Sequence, residues 1–288
     1  VEGEKAQKSL IIPGTGAITP FWGGHDHTTV SSEAIRFAIR LRAQLEDKDL
    51  VNRVFDVEEG KWAYREKDVY NPEKFADDDI LGFMNAQAAK ESDSGPDEGE
   101  AASSKRRKPK GTITKRRSPL AVARAVSLEP YQGELSFGSA GKEKDSTSLF
   151  SAEVHTTRYQ YAFGLSLGEL KKRDRASLVL DGVLDPPPVA GSHSRFLFDF
   201  SPEVVVLSIS DRHSHGFLHP FDRTKGGATL ARLIARVRSG DLSPKELIVG
   251  GLDPGKGEGQ QLKELGVEVH DGVRKAVESA KKRIGGKS

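Results

Sequence analysis

Residues Lys105–Leu120 read KRRKPKGTITKRRSPL, and the organisation of the chain follows from the position of this stretch. Eight of the thirteen residues from Lys105 to Arg117 are Lys or Arg, and none is acidic. Because unpaired charge is costly to bury, the stretch must face water or a polyanion. It lies between an acidic block and a strand-like segment, which is typical of a basic arm anchored on a sheet and bound to a phosphate backbone.

The two flanks of this arm differ in character. Glu91–Ser104 holds five carboxylates and no Lys or Arg, which indicates a charged flexible loop. Leu120–Leu128 alternates apolar with small or polar residues, as a strand does. A solvated linker explains Lys105–Lys110 as well as a binding arm does, whereas Lys115–Arg117, at the mouth of the strand, favours binding.

Composition limits the class of protein. The chain has 288 residues, a net charge of +2 and no cysteine, so affinity for nucleic acid must come from local segregation of charge. The absence of cysteine excludes disulfides and thiolate metal sites, and no apolar run approaches membrane-spanning length. We therefore expect one or two globular domains in the cytoplasm, with no membrane partner.

The segment Val30–Glu46 predicts an amphipathic helix that begins at a serine cap. Ser31 and Ser32 stand at its start, and Arg36 and Arg40 follow at one and two turns. The unpaired N–H groups and the dipole of a helix N-terminus favour an anion, so this end could seat a phosphate. Taken alone, an ordinary helix with solvated arginines explains the pattern more simply.

Irregularly alternating helices and strands predict an α+β fold, with a sheet covered by helices on one face. Glu134–Val154 lies between two β-like ends and predicts a long excursion or hairpin. The remaining predicted strands are 53–57 paired with 60–64, 118–128, 156–167, 196–200, 204–209, 246–249 and 267–270. The remaining predicted helices are 170–180, 229–239 and 272–284.

Histidines and aspartates are the residues that could carry chemistry. His25 and His27, and the group His213, His215 and His219, have metal-binding atoms but lack acidic or histidine partners at helical spacing. Loop histidines that donate hydrogen bonds, including to RNA, explain them better. Asp77–Asp79 could bind a divalent ion or act as a general acid, but an acidic helix N-terminus is the simpler interpretation. We expect no metal and no cofactor.

Five segments together resemble one family. They are Val30–Arg40, Asp78–Met84, Thr114–Tyr131, Arg158–Leu167 and Phe196–Phe221. Their order and spacing resemble the backbone subunit of type I CRISPR surveillance complexes, the Cas-seven protein of the DevR-like branch of the RAMP superfamily. The block KRRSPL followed by the alternating strand is the most specific of these segments.

The resemblance implies a hand-shaped protein. An RRM-like (ferredoxin-like) palm would span Val1–Lys48 and Gly111–Ser288, with an inserted fingers region over Asp49–Lys110. A β-hairpin thumb would lie at Gly133–Thr157. Copies of such a protein stack head to tail along the guide RNA (crRNA) as a helical filament and present the guide to target DNA.

The resemblance also implies which residues bind the guide and which partners the protein has. The expected RNA-binding residues are His25, His27, Ser31, Ser32, Arg36, Arg40, Lys110, Lys115, Arg116, Arg117 and Ser118. The implied partners are crRNA, target DNA through the guide, further copies of the chain, other Cascade subunits, and a nuclease or transposition machinery. Because one subunit must carry many guide sequences, contacts to phosphate and sugar are expected.

Two other functions stay open at this point. A RAMP-superfamily endoribonuclease would use an acid among Asp77–Asp79, and it would cut RNA at regular spacing. A generic basic-arm RNA-binding protein would bind loosely and without a guide. The favoured interpretation is a non-catalytic scaffold for guide RNA.

Overall fold

A computed structural model describes residues 25–286, with gaps at 57, 67–69, 87–112, 141–147, 190–197, 213, 215 and 225–226. Among these residues, none of the helices combines the length and the apolar character needed to cross a bilayer. The described part of the chain is mixed α/β with several small sheets. The predicted α+β class is confirmed at this level, and the division into palm, fingers and thumb stays a prediction.

The α-helices of the described residues are α1 (Ser32–Glu46), α2 (Ala76–Leu81), α3 (Ala176–Leu184), α4 (Ala231–Arg238), α5 (Gly257–Glu264) and α6 (Val273–Gly285). The strands of the described residues are β1 (Thr29–Val30), β2 (Arg53–Asp56), β3 (Lys61–Tyr64), β4 (Phe83–Ala86), β5 (Ile113–Arg116), β6 (Leu120–Val122), β7 (Ala125–Ser127), β8 (Glu134–Ala140), β9 (Ser148–Val154), β10 (Tyr159–Gln160), β11 (Phe163–Leu165), β12 (Val205–Ser208), β13 (Asp222–Thr224), β14 (Gly227–Thr229), β15 (Leu247–Gly250) and β16 (Glu268–His270).

The strands form small sheets rather than one large sheet. Two sheets have three strands, in the orders β1-β7-β10 and β12-β15-β16. Four pairs join strands that are neighbours along the described chain, namely β2-β3, β4-β5, β8-β9 and β13-β14, and a fifth pairs β11 with β6. All of these pairings are antiparallel except β15 with β16.

The first helix is buried against α3. Ile35 and Ile39 lie one turn apart and are 2% and 3% exposed, as the amphipathic pattern predicts. Gly182 of α3 lets the two helices approach closely, because a Cβ there would lie 3.0 Å from the Ile39 Cα. Leu45 is 63% exposed because it lies in the last turn of the helix, beyond the packed face.

The C-terminal sheet is covered on both faces. Leu247 and Val249 of β15 join a core with α4 and α5, while Ile248 between them packs with residues of α3 and α6. Alternation along a strand sends neighbouring side chains to opposite faces, so the apolar run Leu247–Val249 fills both cores. This sheet thus differs from the predicted arrangement with helices on one face, because a parallel β15-α5-β16 crossover brings in an additional helix.

Several predicted elements are confirmed, and others are shorter or absent. Helix α1 ends at Glu46, and the antiparallel strand pairs β2-β3 and β8-β9 lie within the predicted segments 53–64 and 134–154. The predicted strands 118–128 and 156–167 are each broken into two short strands. Residues 198–200 of the predicted strand 196–200 have no strand, and helix α5 lies between the strands predicted at 246–249 and 267–270. Short-range alternation predicts the strand type but not where a partner strand ends.

Candidate nucleic-acid interface

The side chains of Lys115–Ser118 alternate between solvent and the protein interior. Lys115 and Arg117 are exposed, whereas Arg116 and Ser118 are partly buried. This is the period of two expected along an extended backbone, and β5 includes the first two of these residues. The predicted cluster of three cations therefore divides into two outward cations and one inward cation.

Arg116 is held by Asp79 and by a main-chain oxygen. Its Nη2 donates to Asp79 Oδ1 at 2.6 Å and to the Glu169 carbonyl at 2.7 Å. The Asp79 side chain is fully buried, and a charged pair in that setting is stable only with several hydrogen bonds. The guanidinium of Arg116 thus acts as an anchor for the segment, and its predicted RNA contact stays a prediction.

Ser118 and Arg36 hold the other end of the segment. The Ser118 hydroxyl lies 3.1 Å from the Ile80 carbonyl and 2.5 Å from the Leu120 carbonyl. Arg36 donates through Nη1 to Ser118 Oγ at 3.1 Å and to the Leu120 carbonyl at 2.7 Å, and through Nη2 to the Leu81 carbonyl at 2.8 Å. Burial lowers the pKa of Arg36, although the Glu33 carboxylate opposes that shift.

Gly82 allows the segment to lie against the turn between α2 and β4. Its φ of 67° and ψ of 179° belong to a region that is almost restricted to glycine. A Cβ at this position would lie 2.5 Å from the Arg116 carbonyl oxygen and 2.8 Å from the Ser118 nitrogen. Gly82 lies in the resemblance segment Asp78–Met84, but no local pattern predicts this contact, because it depends on a chain segment more than thirty residues away.

The other predicted residues of α1 are also engaged by the protein. Ser31 caps the helix, since its hydroxyl accepts from the Ala34 N–H at 3.2 Å. The hydroxyl of Ser32 donates to Glu33 Oε2 at 3.2 Å. Arg40 lies 3.6 Å from Asp77 Oδ2 and also stacks over the Trp62 ring at 5.4 Å. The phosphate contacts predicted for these residues are untested.

The histidines have different environments. His25 is exposed, while His27 is buried with its Nδ1 2.8 Å from the Ser127 carbonyl. His219 is partly buried, and burial together with the nearby Arg232 charge lowers its pKa. Within the described ranges, no group of three or more His, Cys, Asp or Glu residues could hold a metal ion. His213, His215, Lys110 and the block Glu91–Lys110 lie outside the described residues.

The three carboxylates of Asp77–Asp79 are buried and accept hydrogen bonds from the protein. Asp77 accepts from the Asn52 and Arg53 N–H groups at 2.8 and 3.0 Å, and Asp78 accepts from the Asn71 N–H at 2.8 Å. None of the three is more than 5% exposed. In this arrangement the three carboxylates accept hydrogen bonds from protein donors, and the endoribonuclease alternative stays untested.

The pKa values of Asp78 and Asp79 shift in opposite directions. Burial, helped by the Asp77 charge and opposed by the hydrogen bonds from Asn71 and Asn52, raises the pKa of Asp78 to about 6. For Asp79, burial favours a higher pKa, but the hydrogen bonds that the Lys171 N–H and Arg175 donate to its carboxylate have the larger, opposite effect. The pKa of Asp79 therefore lies below its ordinary value.

Known proteins are similar to this chain in sequence and in fold. The chain is 37% identical over 285 residues to "CRISPR-associated protein Cas7/Cst2/DevR" of Myxococcus xanthus (strain DK1622), covering 91% of this chain and 87% of the relative. No protein-family model matches the sequence. The fold is similar to a chain of the solved structure "CRISPR RNA-guided surveillance complex, pre-nicking", with a TM-score of 0.52 and 14% identity, covering 96% of each chain.

Proposed function

The chain belongs to the Cas7/Cst2/DevR family of CRISPR-associated proteins, and from this premise we propose that it is a non-catalytic, guide-RNA-binding backbone subunit of a type I surveillance complex. Copies of the chain would polymerise head to tail along the crRNA and present the guide for pairing with target DNA. Such stacking needs a heterologous interface that does not close into a ring. Other subunits of the complex, and a nuclease or transposition machinery, would be its further partners.

The observation that carries this proposal is the exposed pair Lys115 and Arg117. The two cations project from a segment that is anchored from behind by Arg116 and Ser118 and is packed against Gly82. Because the backbone of this segment is already fixed, less conformational entropy is lost when the two side chains bind a phosphate. Two such cations would hold a sugar–phosphate backbone without reading bases, as a carrier of many guides requires.

The finer features of the proposal come from the resemblance. The hairpin β8-β9 lies within Gly133–Thr157, where the family would have its thumb. The palm would be RRM-like over 1–48 and 111–288, and the fingers would occupy 49–110. The non-catalytic role is supported by the burial of Asp77–Asp79, which leaves these carboxylates engaged with protein donors.

The test is the double variant Lys115→Ala/Arg117→Ala, measured as guide binding by the full chain over a range of salt concentrations. Each lost contact to single-stranded phosphate reduces the log–log salt slope by about 0.7, so two contacts give about 1.4. The loss should be the same for unrelated spacer sequences, because backbone contacts carry no sequence information.

The matched control is Arg274→Ala/Lys275→Ala, which removes two exposed cations from the start of α6. This control should leave the salt slope unchanged, since those residues lie outside the proposed interface. The proposal is wrong if the two double variants behave alike, or if the effect of Lys115→Ala/Arg117→Ala depends on the spacer.

A further inference from the structure

A second basic segment, Lys171-Lys172-Arg173, lies next to the first. All three residues are exposed. Two of the three side chains have protein partners near the surface: Lys171 Nζ is 3.4 Å from Glu73 Oε1, and Arg173 Nε donates to the Ile284 carbonyl at 3.3 Å. An exposed ion pair such as Lys171–Glu73 contributes little to stability. It therefore does not explain why three cations lie together.

Asp79 connects the two basic segments. Its carboxylate accepts hydrogen bonds from the Lys171 N–H at 3.0 Å and from the Lys172 N–H at 3.3 Å. Arg116 donates to the same carboxylate at 2.6 Å, and its Nη2 also reaches the Glu169 carbonyl. The two segments are 55 residues apart in sequence, yet each has a group within hydrogen-bond distance of one buried side chain.

This arrangement concentrates positive charge at the surface, and the buried Asp79 carboxylate holds the two basic segments together. The outward cations are Lys115, Arg117, Lys171, Lys172 and Arg173. The neighbouring exposed carboxylates are Glu73, Glu169 and Asp174, so five positive and three negative charges leave a net charge of +2. Like charges repel, and a fold keeps them close at a cost that is offset when an anionic ligand lies across them.

We propose that Lys171, Lys172 and Arg173 form a second phosphate-binding segment, continuous with Lys115 and Arg117, that extends the nucleic-acid track across Asp79. The assignment of the ligand to nucleic acid rests on the proposed function. Phosphate chemistry is common to the guide RNA and to the target strand, and the experiment separates these two sources.

The experiment compares Lys171→Ala/Lys172→Ala/Arg173→Ala with a control that also removes three exposed cations, Lys256→Ala/Arg274→Ala/Lys275→Ala. The Asp79 contacts survive in the first variant, because the donors are main-chain N–H groups that alanine retains. Circular dichroism and thermal unfolding of the full chain should therefore match the wild-type protein closely.

Guide binding is measured in one arm, and binding of a complementary single strand to the guide-loaded protein in the other. Three lost phosphate contacts reduce the salt slope by about 2.1, that is 3 × 0.7, in the arm whose strand crosses the segment. A fall in the guide arm assigns the segment to crRNA, and a fall in the second arm alone assigns it to the target strand. A slope equal to that of the control in both arms overturns the inference.

The outcomes also separate this inference from the proposed function. If Lys115→Ala/Arg117→Ala weakens binding and the triple variant does not, only the second segment is wrong. If the triple variant weakens binding and the double variant does not, the second segment binds phosphate, but the interface proposed around Lys115 and its continuity with that segment are both wrong. If the wild-type chain binds neither strand, both proposals are overturned.

Discussion

At the scale of single residues, the structure distinguishes two adjacent carboxylates by their hydrogen bonds. Asp78 has a pKa raised to about 6, whereas the pKa of Asp79 lies below its ordinary value. A carboxyl with a raised pKa binds protons more tightly in the folded state than in the unfolded state. Its contribution to the free energy of unfolding therefore rises as the pH falls through 6.

The prediction concerns the difference in unfolding free energy between the wild-type protein and Asp78→Asn. The wild type should gain about 1 kcal/mol relative to this variant between pH 7 and pH 5, as measured by urea unfolding. Asp79→Asn is the control: it should be destabilised throughout, with a difference that stays constant over this window, since a lowered pKa acts only at more acidic pH. A flat Asp78→Asn difference would contradict the assigned environment.

At the scale of elements, the turn at Gly82 positions the strand segment that carries the exposed cations. Gly82→Ala should destabilise the protein by about 2–3 kcal/mol, because a non-glycine residue with positive φ is strained and its Cβ would clash with two main-chain atoms. Guide affinity should fall as well, since the Arg116–Ser118 backbone must move.

A second glycine provides the matched control for this prediction. Gly60 has a φ of 65°, but a Cβ there would meet nothing within 4 Å. Gly60→Ala should therefore carry only the conformational cost, about 1–2 kcal/mol, and leave guide affinity unchanged. Equal loss of guide affinity in both variants would show that the packing of Gly82 against the segment does not position it.

At the scale of the whole molecule, the proposed scaffold predicts stepwise assembly. Native mass spectrometry of the chain with guides of increasing length should show additional copies at regular length increments. Head-to-tail stacking gives each copy a fixed footprint on the strand, which is the physical reason for the steps. A single copy per RNA at every length would favour the generic basic-arm binder instead.

The mixed class, the first helix with its serine cap and the strand pairs within 53–64 and 134–154 were predicted from the sequence alone. The sequence also located the cations at Lys115–Arg117. These features depend on local patterns, namely apolar periodicity, capping residues and charge runs, which act over a few neighbouring positions. The run at Lys171–Arg173 was a comparable local signal, but nothing nearby in sequence distinguished it from ordinary surface charge.

Long-range packing determines which of these residues face outward and which stabilise the fold from inside. Arg36 and Arg116 were predicted to contact RNA, yet their guanidinium groups are engaged by Leu81, Leu120 and Asp79. The hydrogen bonds that the Lys171 and Lys172 N–H groups donate to Asp79 join residues more than ninety positions apart in sequence. A buried charge is stable only with hydrogen-bond partners around it. Tertiary packing supplies these partners from distant parts of the chain, so no local sequence pattern encodes them.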